Sequence, residues 1–175
     1  AGNFVTLSTI TDRGYDALDY RCFLLGAHYR SPLAFGWDAL EAARTGRRGL
    51  LDRVLQARAE SPDGPGEPEG AAADRLSAFE AHAADDLNMP RCLAELWALL
   101  RDTSIPAPQR LGAALRMDDI LGLGLSDARV GEVTLDEETQ RLLSEREQAR
   151  RSRDFKRADE LRALLKERGI EVQDG

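Results

Sequence analysis

The sequence predicts a mainly α-helical protein: a helical bundle followed by a small C-terminal unit of two helices and a strand. Over most of the 175 residues, apolar side chains recur every three or four positions, which is typical of helices that bury one face. Two stretches rich in glycine and in proline or polar residues, 60–70 and 122–134, interrupt this pattern and indicate loops. Near the C-terminus, Ile170, Glu171 and Val172 alternate apolar and polar side chains, which predicts a short strand.

The two interruptions divide the chain. Residues 1–35 are predicted to be a lead-in that contains the first bundle helix, and 36–121 the rest of the helical bundle. Within the bundle, 60–70 carries four acidic residues and no large apolar side chain, so we expect a flexible surface loop. Residues 122–134 are predicted to be a linker, and 135–175 the small C-terminal unit.

Capping and helix-breaking residues set the starts and ends of the helices. Asp16 is a suitable N-cap for a helix over 16–27, and Pro90 suits the first turn of another helix. Gly46 and Gly49 each weaken the helix that starts at Trp37 by about 1 kcal/mol, which would permit a kink. Apolar spacing predicts the remaining helices at 9–13 (a single turn), 71–84, 108–121, 136–151 and 154–168.

Composition argues against several classes of function. The net charge of −7 argues against a protein that coats nucleic acid through bulk charge, so RNA contacts must come from local basic patches. No apolar run approaches membrane-spanning length and no signal-peptide pattern is present, so we expect a cytoplasmic protein without a membrane partner. Cys22 and Cys92 lie in apolar helical patterns and are expected to be small buried hydrophobes. No ligand spacing predicts a metal site.

Four segments, in the right order, carry a resemblance to a known family. Residues 16–33, DALDYRCFLLGAHYRSPL, resemble the segment that follows the catalytic domain of cysteinyl-tRNA synthetases. Residues 1–4, AGNF, resemble the residues behind the family's Lys-Met-Ser-Lys-Ser loop, and 85–90, DDLNMP, resemble its Asp-Asp-Phe-Asn-Thr-Pro turn. Residues 149–175 resemble the family's C-terminal unit. The chain departs from the family pattern at Gly26, Ala34 and Met89.

The resemblance implies the post-catalytic, C-terminal region of a bacterial-type synthetase, with a bundle of the anticodon-stem-binding type and a small anticodon-binding unit. The family's His-Ile-Gly-His motif, zinc ligands and Lys-Met-Ser-Lys-Ser loop do not occur in this sequence. The parent enzyme would ligate cysteine to tRNA with ATP and zinc, whereas this chain alone would hold no cofactor and catalyse nothing. The implied partners are cysteine tRNA, with its GCA anticodon, and the parent's catalytic domain, but not DNA.

A local basic patch is the first candidate for RNA contact. Five cations and one acid fall within 150–157, which gives this stretch a net charge of +4 in an acidic chain. A solvated helix junction with salt bridges explains such a patch on composition alone, but the resemblance favours contacts to RNA phosphates. The residues assigned to these contacts are Arg150, Arg151, Arg153 and Lys156. Phe155 fits a core position as well as it fits an exposed platform on which a base stacks.

Three further residues are candidates for RNA contact. Asp159 and Asp174 could each accept hydrogen bonds from N1 and N2 of guanine, the first base of the anticodon that the family reads. For Asp159 the equally weighted alternative is an acid on the helix surface without a role in binding, and for Asp174 it is a disordered terminal residue. Arg30 could contact a backbone phosphate, but we favour packing against the catalytic domain because it directly follows a buried helix.

Two other functions fit parts of the sequence. A related ligase of mycothiol synthesis couples cysteine to an amino sugar, and it resembles the family in the catalytic region. That relative is not expected to carry a basic unit such as 149–175. The other alternative is a helical protein-interaction module without an RNA partner, which binding to cysteine tRNA would exclude.

Overall fold

The computed structural model describes residues 5–128, 142, 145–146, 148–149 and 154–167, with only the backbone of 155, 166 and 167. The chain forms two compact units, Ala1–Val130 and Gly131–Gly175. The described helices of the first unit are α1 (Leu7–Thr11), α2 (Ala17–Leu25), α3 (Trp37–Ala59), α4 (Ala71–Ala84), α5 (Met89–Arg101) and α6 (Ala107–Leu121). In the second unit, α7 spans Phe155–Glu167. The mainly α-helical prediction is confirmed, and the predicted strand at 170–172 lies outside the described residues.

Capping side chains fix the first two helices. α1 begins earlier than predicted because Thr6 caps it, and the Thr6 hydroxyl accepts the N–H of Thr9 at 3.2 Å. The predicted cap of α2 is confirmed: Oδ1 of Asp16 accepts the N–H of Leu18 at 2.7 Å. In return, Oδ2 of Asp19 accepts the N–H of Asp16 at 3.0 Å, which completes a capping box with a buried carboxylate.

The longest helix, α3, continues through both of its internal glycines. A Cβ atom at Gly49 would lie 3.0 Å from the ring carbon Cη2 of Trp97, which is on α5. The absent side chain therefore makes room for the indole between α3 and α5, and this packing offsets the low helix propensity of glycine. Trp97 packs against the main core.

The main core is formed by the five helices from α2 to α6. Its fully buried members include Leu50, Val54, Phe79, Leu96, Leu99, Met117 and Leu121. Cys22 and Cys92 are both buried and free of a disulfide, and burial raises the pKa of both thiols. The two cysteines therefore act as the small hydrophobes that the sequence predicts. A smaller cluster around Ile10, Phe23 and Leu40 joins α1, α2 and the start of α3.

The loop 60–70 is anchored to α6, which the sequence pattern does not indicate. The N–H of Gly66 donates to the carbonyl of Pro108 at 2.8 Å. The carboxylate of Glu60 pairs with the buried guanidinium of Arg110 at 2.9 Å. The prediction of a flexible loop rests on the lack of apolar side chains, whereas these contacts use backbone groups and charges.

Gly112 allows the loop to approach α6. A Cβ atom at this position would lie 1.9 Å from the backbone carbonyl oxygen of Gly66. We therefore expect Gly112→Ala to lower the free energy of unfolding by about 1–3 kcal/mol, because overpacking outweighs the better helix propensity of alanine. The measurement is urea unfolding followed by tryptophan fluorescence, since both tryptophans, Trp37 and Trp97, lie in the first unit.

Gly46→Ala is the matched control for this variant. Gly46 is also inside a helix, but a Cβ atom there would meet nothing within 4 Å among the described residues. This substitution should raise the free energy of unfolding by up to about 1 kcal/mol. Equal stabilisation of both variants would show that the loop does not approach Gly112 closely.

Leu123 and Leu125 extend the main core beyond the end of α6. Both side chains are fully buried, although they lie in the stretch 122–134 that the sequence predicts to be a linker. The division between the two units falls after residue 130. The first part of the predicted linker therefore packs with the bundle.

Candidate nucleic-acid interface

One exposed side of α7 carries two of the residues predicted to contact RNA. Lys156 and Asp159 are both exposed, and their spacing of three residues places them on neighbouring positions of the helix surface. The opposite side of α7 buries Ala158, Leu161 and Leu165. A cation and a carboxylate are thus presented together to solvent, which suits simultaneous contact with a phosphate and a base edge.

The basic patch is only partly described. Arg150, Arg151, Arg153 and Asp174 lie outside the described residues, and for Phe155 the structure gives the backbone at the start of α7. Arg157, a cation of the patch that was not assigned to RNA, pairs with Glu145 at 3.6 Å and with Glu160 at 3.2 Å. Arg157 therefore forms salt bridges of the kind that the composition of the patch predicts.

The N-terminus of α7 is capped by an acid of the same patch. Oδ1 of Asp154 accepts the N–H of Arg157 at 3.1 Å, and the carbonyl of Asp154 accepts the N–H of Ala158 at 3.1 Å. Asp154 therefore fixes the first turn of the helix. Lys156 lies in this first turn, so its backbone position is set before any ligand binds.

Arg30 lies in the first unit, in a surface cluster centred on Asp86. Its Nη2 donates to Oδ1 of Asp86 at 2.9 Å, and its Nε donates to the hydroxyl of Tyr29 at 2.7 Å. The Tyr29 hydroxyl in turn donates to Oδ1 of Asp86 at 2.6 Å, and this bond raises the pKa of Tyr29. Nε2 of His28 lies 3.8 Å from Oδ2 of Asp86. We call His28, Tyr29, Arg30 and Asp86 the Asp86 cluster.

The Asp86 cluster holds Arg30 in one orientation while leaving it accessible. The Arg30 side chain is 67% exposed, so a face of the guanidinium remains open to a ligand. Asp86 itself adopts a left-handed backbone conformation, with φ of 54°, and so does Leu87. Sequence reasoning identified the turn around Asp86 by resemblance but missed its pairing with Arg30, because the two residues are 56 positions apart.

An apolar groove opens between α2, α3 and α5. Its volume is about 320 Å³. It is lined by Cys22, Phe23, Gly26, Leu33, Ala39, Ala43, Gly46, Leu93 and Trp97. The part of α3 that lines it consists of small residues, and Leu33, another lining residue, is 42% exposed. The groove offers an apolar contact surface.

Neither a membrane-spanning helix nor a metal-binding cluster occurs in the described part of the chain. None of the described helices is long and apolar enough to cross a bilayer. Over the same residues, no group of three or more His, Cys, Asp or Glu side chains is arranged to hold a metal ion.

Comparison with known proteins relates both units to one family. A family model described as the cysteinyl-tRNA ligase anticodon binding domain matches residues 132–175. This match covers the unit that contains α7.

Curated relatives match nearly the whole chain. A cysteine–tRNA ligase of Treponema pallidum (strain Nichols) is 36% identical over 204 residues, which cover 99% of this chain and 39% of the relative. The cysteine–tRNA ligase 1 of Burkholderia lata is 40% identical over 174 residues, covering 99% of this chain and 35% of the relative. The cysteine–tRNA ligase of Novosphingobium aromaticivorans is 36% identical over 183 residues, which cover 100% of this chain and 37% of the relative. The chain thus spans less than half the length of these relatives.

Proposed function

The chain belongs to the cysteine–tRNA ligase family, and we propose that it is the tRNA-binding region of such a ligase, which contacts the anticodon stem and the anticodon. The observation that carries this proposal is the anticodon-binding match over 132–175, the unit in which α7 exposes Lys156 and Asp159. The relatives named above are cysteine–tRNA ligases, which favours neither an amino-sugar ligase nor a protein-interaction module.

The preferred RNA is cysteine tRNA, whose anticodon is GCA. Arg150, Arg151, Arg153 and Lys156 contact phosphates, which contribute affinity without sequence preference. Phe155 is available for stacking on a base. Asp159 and Asp174 accept hydrogen bonds from the Watson–Crick edge of the first anticodon guanine. A carboxylate suits guanine because N1–H and N2–H are both donors, and a carboxylate has only acceptors.

The remaining chemistry belongs to the rest of the parent ligase. Activation of cysteine with ATP, and the zinc site of the parent, depend on motifs that do not occur in this sequence, so this chain alone is not catalytic. The second partner is the catalytic domain. The apolar groove offers it an apolar anchor site, and the Asp86 cluster offers oriented charges. The cellular location that fits this function is the cytoplasm.

Variants of α7 test how RNA is bound. Lys156→Ala should weaken binding to every tRNA alike and lower the salt slope of the binding constant by about one unit, because one phosphate contact is lost. Asp159→Ala should cost about 1–3 kcal/mol for a tRNA with guanine at the first anticodon position, and much less for a tRNA with another base there. Filter binding of the full chain at several salt concentrations measures both effects.

Glu160→Ala is the control for removing an acid from α7. Glu160 is an exposed acid next to Asp159 and pairs with Arg157. Its loss should leave the discrimination between the two tRNAs unchanged. Equal losses on both tRNAs for Asp159→Ala would reject base reading by this residue. A chain that binds no tRNA at all would reject the proposed function and favour an interaction module.

A further inference from the structure

The chain leaves the bundle along a fixed path. Residues 121–128, which we call the strap, contain no helix after Leu121, yet their backbone is bound to side chains from α2, α3 and α6. Gly122 starts this path with a left-handed conformation, φ of 61°, as the C-cap of α6. The strap is therefore a defined structural element.

Asp118 holds the strap from inside the bundle. Its carboxylate is 5% exposed. Oδ1 accepts the N–H of Leu123 and Oδ2 accepts the N–H of Leu125, both at 2.7 Å. Charge-assisted bonds of this kind are stronger than those between neutral groups. They pin the strap at the two positions where its side chains enter the core.

Three arginines bind carbonyl groups of the strap. Arg21, on α2, donates to the carbonyl of Leu121. Arg47, on α3, donates to the carbonyl of Leu123 at 2.9 Å. Near the end of α3, Arg58 donates to the carbonyl of Ser126 at 3.0 Å and to that of Ala128. The side chains that bind the strap backbone are thus those of Asp118, Arg21, Arg47 and Arg58.

The position of the last contact has a physical consequence. Ala128 lies two residues before the division between the units. Leu123 and Leu125 are anchored by their buried side chains, whereas the side chains of Ser126 and Asp127 are exposed. This last part of the strap is held by Arg58 through the carbonyls of Ser126 and Ala128. Fixing this part shortens the tether, by which we mean the residues between the anchored chain and the second unit. A shorter tether raises the effective concentration of one binding site at the other.

We propose that Arg21, Arg47, Arg58 and Asp118 are positioning residues for RNA recognition, which shorten the tether so that one tRNA is bound by both units at once. This inference rests on the proposed function. According to this inference, the strap raises the affinity for whole tRNA without contacting the RNA itself.

Arg58→Ala tests the proposal, because Arg58 holds the last two carbonyls and is only half-buried. Hydrogen exchange of the strap amides should rise several-fold in this variant. Affinity for whole cysteine tRNA should fall about three- to tenfold, because effective concentration falls as the tether lengthens. Affinity for a short single strand with the anticodon-loop sequence should change by less than about twofold, since that strand reaches one site alone. The salt slope for tRNA should stay the same.

Arg53→Ala is the matched control, since it removes the same charge from the same helix and, within the described residues, Arg53 contacts no strap carbonyl. Arg58→Lys keeps the charge and one donor, and its tRNA affinity should lie between those of Arg58→Ala and the unaltered chain. Unchanged strap exchange in Arg58→Ala, equal losses on both RNAs, or a salt slope lowered by one unit would each overturn the proposal. If the unaltered chain bound neither RNA, the proposed function would fail, and this inference with it.

Discussion

Leu96→Ala is expected to lower the free energy of unfolding of the first unit by about 2–5 kcal/mol, the range for truncating a fully buried leucine. Leu96 is 0% exposed and lies in the middle of α5. That helix contacts α2, α3, α4 and α6, so the cavity left by the missing methyl groups is enclosed by several helices. We expect a loss in the upper half of the range, because an enclosed site collapses poorly.

The effect is measured by urea unfolding with tryptophan fluorescence, which reports on the first unit. Ile120→Ala is the control, because Ile120 is 47% exposed on α6 and its truncation creates no internal cavity. The control should shift the free energy of unfolding by less than about 1 kcal/mol. Equal shifts for the two variants would mean that Leu96 does not lie in a closed core.

Helix positions were predictable because local signals determine them. The helix at Ala71–Ala84 was predicted residue for residue from apolar spacing, and the cap at Asp16 from its side-chain chemistry. These signals lie within one or two helical turns of the positions they define. The burial of Leu96 follows from the same spacing, since a residue at the centre of a wide apolar face is buried wherever that face packs.

The anchored loop and the strap could not be predicted because their contacts join distant residues through backbone atoms. Gly112 reveals nothing by itself about the carbonyl of Gly66, and Arg47 reveals nothing about the carbonyl of Leu123. Both segments look like solvated linkers in composition. Backbone carbonyl groups occur at every residue, so a sequence pattern cannot indicate which of them an arginine will bind.

The candidate site shows the same limit. Exposure of Lys156 and Asp159 follows from the helical period of α7, which buries Ala158, Leu161 and Leu165. The pairing of Arg30 with Asp86 does not follow from any period, because it joins the segment after α2 to the turn after α4. Sequence reasoning therefore identified which side of a helix faces solvent, but not which charges already have a partner.

Arg47→Met is expected to lower the free energy of unfolding by about 3–5 kcal/mol, the cost of leaving one charge of a buried pair without its partner. Nη1 of Arg47 lies 3.3 Å from Oδ1 of Asp19, and the two side chains are only 12% and 5% exposed. The Nε atom also donates to the strap carbonyl of Leu123. Methionine keeps much of the aliphatic volume, so the loss reports on the charge and its hydrogen bonds and not on a cavity.

A double-mutant cycle separates the Arg47–Asp19 pair from the other contacts of either residue. Asp19→Asn keeps an oxygen that can accept the N–H of Asp16, so the capping box survives while the charge is lost. The double variant should be more stable than the sum of the two single losses predicts by at least about 1 kcal/mol, because neither charge is then left alone.

Arg48→Met, at the next position of α3, should cost less than about 1 kcal/mol, since Arg48 is half-buried and its nearby acid, Asp52, is exposed. Single losses that add to within about 0.5 kcal/mol would show that Arg47 acts only through the strap carbonyl. A loss for Arg47→Met no larger than that for Arg48→Met would show that the buried pair contributes nothing to the fold.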